Sequence, residues 1–474
     1  MNQTEAFKQR IDTALGNQQV RENFRKAMDG LMDKRAEALQ DPEELQYLRD
    51  QAAAVRAYAL ANLPELLEQL EQRLLANGIE VHWAQDGAEA NRIIHGIIDQ
   101  AGGSTVVKGK SMVSEESGLN DYLIERGIDV LESDLGEFII QLANEPPSHI
   151  IAPAIHKNRH QVAELFQRFF PDEVFDADDI EDMTALARRI LREKFARADV
   201  GISGVNFAVA ETGTICLVEN EGNGRLSTTA PDIHIAITGI EKVVARLEDI
   251  PPLVEILTRT ATGQPITTYF NLISGARKAD EKDGPKQVHL VLLDNGRGEI
   301  HGDADFIDTL RCIRCGTCIN HCPVYVQMGG HAYGTVYPGP IGIVLEPQRQ
   351  GIDRIGALTS ACSLCGACGE VCPVEIPLPQ LINQLRAEAV DAGRSRSRVH
   401  GKGSLRKPRE SAAWKLWSLL YANPVLYRSF RFLATRLRAL SPKNTGPWTR
   451  YRSAPRPAAR SLADLARQDG FERD

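Results

Sequence analysis

The sequence has no apolar run that approaches the roughly 20 residues needed for a membrane-spanning helix. Its first ten residues, MNQTEAFKQR, lack an apolar segment, so we expect no secretory signal. The hydrophobic and charged fractions, 43% and 25%, exclude a largely disordered or collagen-like chain. Single cores rarely grow as large as 474 residues, so we expect about two to four domains.

Nucleotide-binding fingerprints are also missing. No Gly-x-Gly-x-x-Gly motif follows a predicted strand, so nothing supports a Rossmann-type NAD or FAD site. The segment Gly103–Ser111 resembles a phosphate-binding P-loop, but Ser104 stands where that motif requires glycine. Residues 104–107 also have the composition of a strand, which leaves too short a loop to enclose a phosphate. The sequence therefore does not predict a nucleotide site here.

Charge is distributed unevenly along the chain. The net charge is −8, yet residues 391–474 carry 19 Lys and Arg against six Asp and Glu. The preceding 390 residues are therefore strongly acidic. An acidic body argues against nucleic-acid binding by the whole protein, and the basic tail forms a segment of opposite charge.

Cysteine is concentrated in two short runs. Eight of the nine cysteines form two C-x2-C-x2-C-x3-C-P segments, Cys312–Pro323 and Cys362–Pro373. This spacing is typical of [4Fe–4S] ligation, because three closely spaced thiolates can wrap one cluster while proline turns the chain away. A disulfide scaffold is disfavoured in so long a chain without a signal peptide, and zinc sites prefer separated C-x2-C pairs. We therefore predict two [4Fe–4S] clusters and electron transfer.

The ligands of the two clusters are expected to cross between the runs. In two-cluster ferredoxins the fourth cysteine of each run binds the other cluster. This pattern assigns Cys312, Cys315, Cys318 and Cys372 to one cluster, and Cys362, Cys365, Cys368 and Cys322 to the other. The long segment between the runs and the predicted helix Leu381–Val390 favour a helical ferredoxin module. Cys216, within an apolar strand pattern, is interpreted as an inert core thiol.

Residues 70–300 alternate between strand and helix patterns, which predicts an α/β domain with a mostly parallel sheet. The preceding residues 1–69 have helical periodicity and are interpreted as a packing arm. The predicted strands are Glu80–Ala84, Thr105–Lys108, Asp129–Leu131, His149–Ile151, Phe207–Ala210, Thr214–Glu219, Ile233–Thr238 and Val288–Asp294.

The segment of this domain with the most closely spaced polar residues follows its central strands. A Glu-Thr-Gly turn at residues 211–213 precedes a glycine-rich loop at residues 219–228. Lys108, Glu211, Asn223 and Arg225 are our candidates for contacts to a substrate or another small anion. A hairpin with a solvated loop is the alternative interpretation.

The tail begins with a basic linker at about residue 391 and continues with amphipathic helices. Trp414, Trp417, Leu420 and Tyr421 recur at helical spacing, as do Leu426, Phe430, Leu433 and Leu437 among arginines. Basic helices of this kind lie on anionic membranes or dock onto acidic partners. Docking onto the acidic body of the same chain is a third alternative.

The segments Lys108–Glu116 and Glu211–Ile215, followed by two cluster runs, resemble the iron–sulfur B-subunit family of the lactate-utilisation system. The resemblance covers nearly the whole chain. It implies a LUD domain at 70–300, an open sheet akin to the NagB/RpiA/CoA-transferase fold. A mainly helical two-cluster ferredoxin domain at 301–390 and helical tail segments at 391–474 would follow it.

The resemblance also implies a cytoplasmic complex that converts L-lactate to pyruvate. Its other subunits would be a CCG-type cysteine-rich protein and a second LUD-domain protein. The basic amphipathic helices of the tail, rather than the resemblance, lead us to expect a peripheral contact to the inner face of the membrane. No catalytic residue and no terminal electron acceptor is implied. The alternative is a relay for a different 2-hydroxy acid or donor, with the LUD domain as a binding or assembly scaffold.

Overall fold

The computed structural model describes residues 3–390, 408–444, 446–449, 453–454 and 456–468. The chain divides into two compact units between Leu405 and Arg406. The predicted basic linker falls on residues 391–407, which lie outside the described residues.

Four helices form the N-terminal arm that the periodicity predicts. They are α1 (Gln3–Gly16), α2 (Gln18–Ala38), α3 (Pro42–Ala61) and α4 (Leu63–Ala76). The Asp41 carboxylate accepts hydrogen bonds from the backbone N–H groups of Glu43 and Glu44 at the start of α3, and Pro42 occupies the first turn. The buried faces of α1–α3 share one apolar core with the cysteine-rich segment, so the arm packs directly against it.

In the described part of the chain, ten strands build two sheets. They are β1 (Glu80–Ala84), β2 (Thr105–Lys108), β3 (Asp129–Glu132), β4 (Val200–Gly204), β5 (Phe207–Val209), β6 (Thr214–Glu219), β7 (Ile233–Gly239), β8 (Val243–Val244), β9 (Tyr269–Ile273) and β10 (Gln287–Leu293). The larger sheet has the order β1-β10-β7-β4-β2-β3, and all of its pairs are parallel. The smaller sheet has the order β8-β5-β6-β9, with β6 antiparallel to both neighbours.

Helices cover the larger sheet on both sides, as expected for parallel strands joined by crossovers. The helices of the domain are α5 (Gly87–Gln100), α6 (Met112–Ser117), α7 (Leu119–Ile124), α8 (Leu135–Ala143), α9 (Arg159–Phe169), α10 (Ile180–Arg197), α11 (Asn223–Thr229), α12 (Ile250–Thr262) and α13 (Arg297–His301). Of these, α9 packs on α8, and α12 packs on α2 and α3 of the N-terminal arm rather than on this sheet. Isoleucine, valine and alanine fill the faces of the central strands, which are buried along their whole length.

The predicted strand His149–Ile151 is wrong. These residues form a bend in which the His149 imidazole accepts hydrogen bonds from the backbone N–H groups of Ile151 and Ala152. A side chain that binds its own local backbone stabilises a turn and competes with strand pairing. The predicted strands Glu80–Ala84, Thr105–Lys108 and Thr214–Glu219 are confirmed with the same bounds.

The cysteine-rich segment is helical, as predicted, and its elements are short. They are α14 (Thr317–Asn320), α15 (Pro323–Met328), α16 (Gly339–Gln350), α17 (Ile352–Ile355), α18 (Ala367–Glu370) and α19 (Leu378–Val390). The predicted helix Leu381–Val390 is confirmed and begins three residues earlier.

The C-terminal unit contains α20 (Pro408–Ala422), α21 (Pro424–Arg436) and α22 (Leu462–Gln468). The Trp417 ring stacks on Tyr421 at a centroid distance of 4.3 Å and lies edge-on to Trp414, so these three residues share a face. Leu416 and Leu419 on the opposite side are 70% and 66% exposed. The apolar surface of α20 therefore extends around the helix. Among the described residues, no helix combines the length and apolar composition needed to cross a bilayer.

A buried ion network joins the α/β domain to the cysteine-rich segment. Arg297 on α13 donates to Glu116 on α6 at 2.7 Å and to Glu241 after β7. Arg349 on α16 also reaches Glu116, at 3.0 Å, and Tyr337 donates its hydroxyl to the same carboxylate. Burial alone would raise the pKa of Glu116, but the guanidinium groups of Arg297 and Arg349 lower it to about 2.

We predict that Glu116→Ala destabilises the folded protein by about 3–5 kcal/mol, because it leaves two buried guanidinium groups without their shared carboxylate. Anaerobic urea unfolding of the holoprotein measures the loss. The matched control is Asp232→Ala, which breaks an ion pair with Lys286 whose side chains are both 59% exposed. That pair should contribute at most about 1 kcal/mol. Equal losses in the two variants would contradict a structural role for the network.

Candidate iron–sulfur centres and an adjoining cavity

The first cysteine run is a compact turn followed by one turn of helix. Arg314 and Gly316 have φ angles of 63° and 76°, on either side of Cys315, and α14 starts at the next residue. The backbone N–H of Arg314 points at the sulfur of Cys312, with an N–S distance of 3.4 Å. An arginine in the left-handed region costs about 1 kcal/mol, so surrounding contacts must hold it there.

The second run repeats this conformation. Leu364 and Gly366 have φ angles of 57° and 89°, and the Leu364 N–H lies 3.3 Å from the sulfur of Cys362. The same cysteine spacing thus gives the same turn in both runs. In each turn the backbone surrounds the space that the cysteine sulfurs face. Such N–H donors stabilise thiolate ligands and the sulfides of a cluster.

The sulfur atoms group across the two runs. A small cavity of about 20 Å³ is lined by Cys312, Cys315, Cys318 and Cys372. Burial, with a smaller contribution from the neighbouring Cys312, raises the pKa of Cys372 to about 11. Burial likewise raises the pKa of Cys322 to about 11, with Cys362 and Cys365 as its charged neighbours. These residues fit a pair of iron–sulfur clusters, since iron keeps coordinated thiols deprotonated despite burial.

Cys216 is different in kind. It is completely buried on β6, and burial raises the pKa of its thiol to about 12. A protonated, inaccessible thiol is inert, as the sequence pattern indicates.

A larger cavity of about 270 Å³ lies between the parallel sheet and the first cysteine run. Its walls include Lys110 and Ser111 after β2, the segment 203–206 at the end of β4, and Lys242 beyond β7. Ile313 and Arg314 of the cysteine run close it. Ligands of open parallel sheets bind at these carboxyl ends of strands, where the loops diverge.

Two cations stand at the end of this cavity nearest the cysteines. Lys242 is 5% exposed and donates to the carbonyl oxygen of Cys312 at 3.3 Å. Burial lowers the pKa of Lys242 to about 7, and repulsion from Arg314 contributes. The Arg314 guanidinium lies over the Tyr337 ring, with its carbon 4.6 Å from the centroid, and contacts Glu241 at 3.4 Å through Nη2.

The four residues predicted to contact an anion do not gather in one place. Asn223 lines the larger cavity. Lys108 is fully buried and does not line this cavity; it pairs with Glu132 at 2.7 Å and Glu115 at 3.4 Å, so its charge is already compensated. Glu211 accepts a hydrogen bond from the Leu247 N–H. Neither Glu211 nor the side chain of Arg225 lines the cavity.

Sequence reasoning missed Lys242 and Arg314. Lys242 follows the predicted strand Ile233–Thr238 after a short interval, at the carboxyl end of the sheet where ligands bind. A search for charged residues after each predicted parallel strand could have found it. Arg314 sits inside a C-x2-C spacing, and nothing in the sequence shows which way its side chain points.

Three family profiles match consecutive parts of the chain. The LUD domain matches residues 67–293, the 4Fe-4S dicluster domain matches residues 308–376, and the C-terminal domain of lactate utilisation protein B matches residues 384–471. The predicted fold class, an α/β LUD domain followed by a ferredoxin module, is thereby confirmed.

Whole-length relatives agree with these matches. The chain is 40% identical over 466 residues to lactate utilization protein B of Bacillus velezensis, covering 96% of this chain and 95% of the relative. It is 42% identical over 389 residues to the protein of the same name in Bacillus subtilis, covering 82% and 81%. It is also 40% identical over 422 residues to the Escherichia coli electron transport protein YkgF, covering 89% and 86%.

We predict that Cys372→Ser and Cys315→Ser damage the same cluster although the two residues belong to different runs. Anaerobically purified wild type should contain about eight iron and eight sulfide per chain, and each variant about four. The EPR signal of the reduced protein should lose the same component in both. Cys216→Ser is the control and should retain full iron content. Loss of different EPR components in the two variants would contradict the crosswise assignment.

Proposed function

The chain belongs to the lactate utilisation protein B family, and from this premise we propose that it carries electrons from L-lactate oxidation through two [4Fe–4S] clusters. Iron–sulfur electron transport in lactate utilisation is the activity that the family match supports. The observation that carries the proposal is the crosswise grouping of eight cysteines in two turns of the same conformation.

Cys312, Cys315, Cys318 and Cys372 would hold the first cluster, and Cys362, Cys365, Cys368 and Cys322 the second. Each cluster would accept and release one electron at a time. Oxidation of lactate to pyruvate releases two electrons and two protons, so two one-electron carriers suit the stoichiometry. The protein supplies the thiolates, the backbone N–H groups that face the sulfurs, and an apolar shell that excludes water.

The surroundings of the two runs favour a direction of flow. In the first run Cys315 and Cys318 are buried, and the run borders the larger cavity. In the second run Cys365 is exposed and Leu364 beside it is 47% exposed. Electron transfer between proteins needs close approach of the carriers. We therefore infer that electrons enter at the first cluster and leave at the second.

We further propose that the chain works in a cytoplasmic complex with a CCG-type cysteine-rich subunit and a second LUD-domain protein. The C-terminal helices support a docking role, because Trp414, Leu416 and Leu419 are each more than half exposed in their unit. Arg428, Arg431 and Arg436 on α21 add positive charge to this apolar surface. An acidic partner is the occupant that we favour, with the inner face of the membrane as the alternative.

We predict that L-lactate reduces the clusters only when the partner subunits are present. Anaerobic EPR and visible spectra are recorded after L-lactate is added to the chain alone and to the assembled complex. Dithionite reduction of the chain alone serves as the positive control. Reduction by lactate without partners would show that this chain is a complete dehydrogenase. No reduction in the complex would overturn the assignment of lactate as electron donor.

We predict that truncation after Val390 abolishes assembly with the partners while leaving about eight iron atoms per chain. The cluster cysteines and their core belong to the other unit, so the clusters should not depend on the tail. Analytical size exclusion of the mixed subunits measures assembly. Flotation with vesicles containing anionic phosphatidylglycerol tests the membrane alternative. Unimpaired assembly of the truncated chain would refute the docking role.

A further inference from the structure

We propose that the cavity beside the first cysteine run binds the carboxylate of a small organic acid, held by Lys242 and Arg314. The site would lie on this chain itself, next to the first cluster. The naming of the acid as lactate or pyruvate rests on the proposed function. The binding of a small carboxylate rests on the geometry alone.

The size of the cavity restricts the ligand. Its volume of about 270 Å³ lies at the lower limit of about 300–1,000 Å³ that pockets for drug-sized ligands occupy. A dinucleotide or a flavin dinucleotide is too large for this space. Ile150, Val205 and Leu257 also line it, so part of the wall is apolar. An acid with a short carbon chain matches both properties.

Arg314 offers the cavity an unused donor. Its side chain is 11% exposed, and its Nη2 contacts Glu241. Its Nη1 is buried without a hydrogen-bond partner among the described residues. A buried guanidinium N–H without an acceptor is destabilising, and a carboxylate oxygen of a ligand would satisfy it. The positive φ of Arg314 and the Tyr337 ring beneath its guanidinium hold this donor in place.

The carboxylates near this end of the cavity are already engaged. Glu241 is shared between Arg297 and Arg314. Glu219, which also lines the cavity, accepts hydrogen bonds from the N–H groups of Gly224 and Arg225 and from the Asn271 amide. Asp134 caps the start of α8. Lys242 has only the carbonyl oxygen of Cys312 as its hydrogen-bond partner among the described residues.

Arg297 and Arg314 share the carboxylate of Glu241, and no carboxylate pairs with Lys242 among the described residues, so positive groups are in excess where Lys242 and Arg314 meet the cavity. Two explanations compete for this excess. The cations serve a bound carboxylate, or they serve the negative charge of the neighbouring cluster. Arg314 lines both this cavity and the smaller cavity among the cysteines, whereas Lys242 lines only this one, so the position of Lys242 favours the carboxylate.

The test is anaerobic isothermal titration calorimetry of the full-length holoprotein with pyruvate and with L-lactate. Wild type should bind at least one of the two acids. Arg314→Gln and Lys242→Gln should each weaken that binding roughly 10–100-fold, since each removes one charged hydrogen-bond donor. Lys242 lies outside the cysteine runs, so its variant tests the site even if Arg314→Gln loses its cluster. Iron content is measured in every sample.

The matched control is Arg311→Gln. Arg311 immediately precedes Cys312 but pairs with Asp308 at 2.9 Å and does not line the cavity. This variant removes a positive charge beside the same cluster, and it should bind the acid as wild type does.

Two outcomes would overturn the site. Wild type binds neither acid, or both cavity variants bind the acid as wild type does. In the second case, a shifted reduction potential of the first cluster would assign the cations to the cluster. If lactate still reduces the clusters of the assembled complex in these cases, the electron relay stands without this site. If the acid binds but the complex is never reduced, the site stands and the relay fails.

Discussion

The buried ion network around Arg297 is the interaction on which the arrangement of the site depends. Arg297 links Glu116, which lies after β2 in the chain, to Glu241, which lies after β7. Glu241 in turn contacts Arg314 inside the first cysteine run. One chain of ion pairs therefore fixes the cluster-binding turn against the carboxyl edge of the parallel sheet. A charged side chain of this network left without its partner in the interior would strongly destabilise the fold, so the ion pairs form together.

This constraint explains why the cavity lies where it does. The strands end at one edge, the cysteine run is held a short distance from that edge, and the intervening space is lined by both. Arg56 on α3 reinforces the arrangement by donating to the carbonyl oxygens of Val243 and Leu310, one on each side of the junction. The N-terminal arm thus hydrogen-bonds to both sides of the domain junction and holds them together.

The two cysteine runs share a local conformation and differ in their surroundings. The first faces the sheet and is enclosed, whereas the second reaches the surface at Leu364 and Cys365. Because burial and nearby charge set cluster potentials, two identical turns can hold carriers with different properties. In the proposed relay, this asymmetry puts the electron entrance at the enclosed first run and the exit at the exposed second run.

Much of the fold could be read from local patterns. The strand bounds of β1, β2 and β6 agree with the sequence prediction residue for residue, because apolar periodicity reflects the burial of each strand. The His149–Ile151 prediction was wrong because the imidazole binds its own backbone, which composition does not reveal. The strand β9 was missed since Tyr269, Phe270 and Leu272 follow no clear alternation of burial.

The sequence by itself determined the cluster-binding turns, because ligand spacing is a local property that a few adjacent dihedral angles satisfy. Only the tertiary structure decided which charged side chains face the cavity. Lys108 ends β2 and Lys242 follows β7, yet Glu132 neutralises the first and no carboxylate pairs directly with the second among the described residues. Whether a buried charge is compensated depends on segments distant in the chain, and no local pattern encodes that pairing.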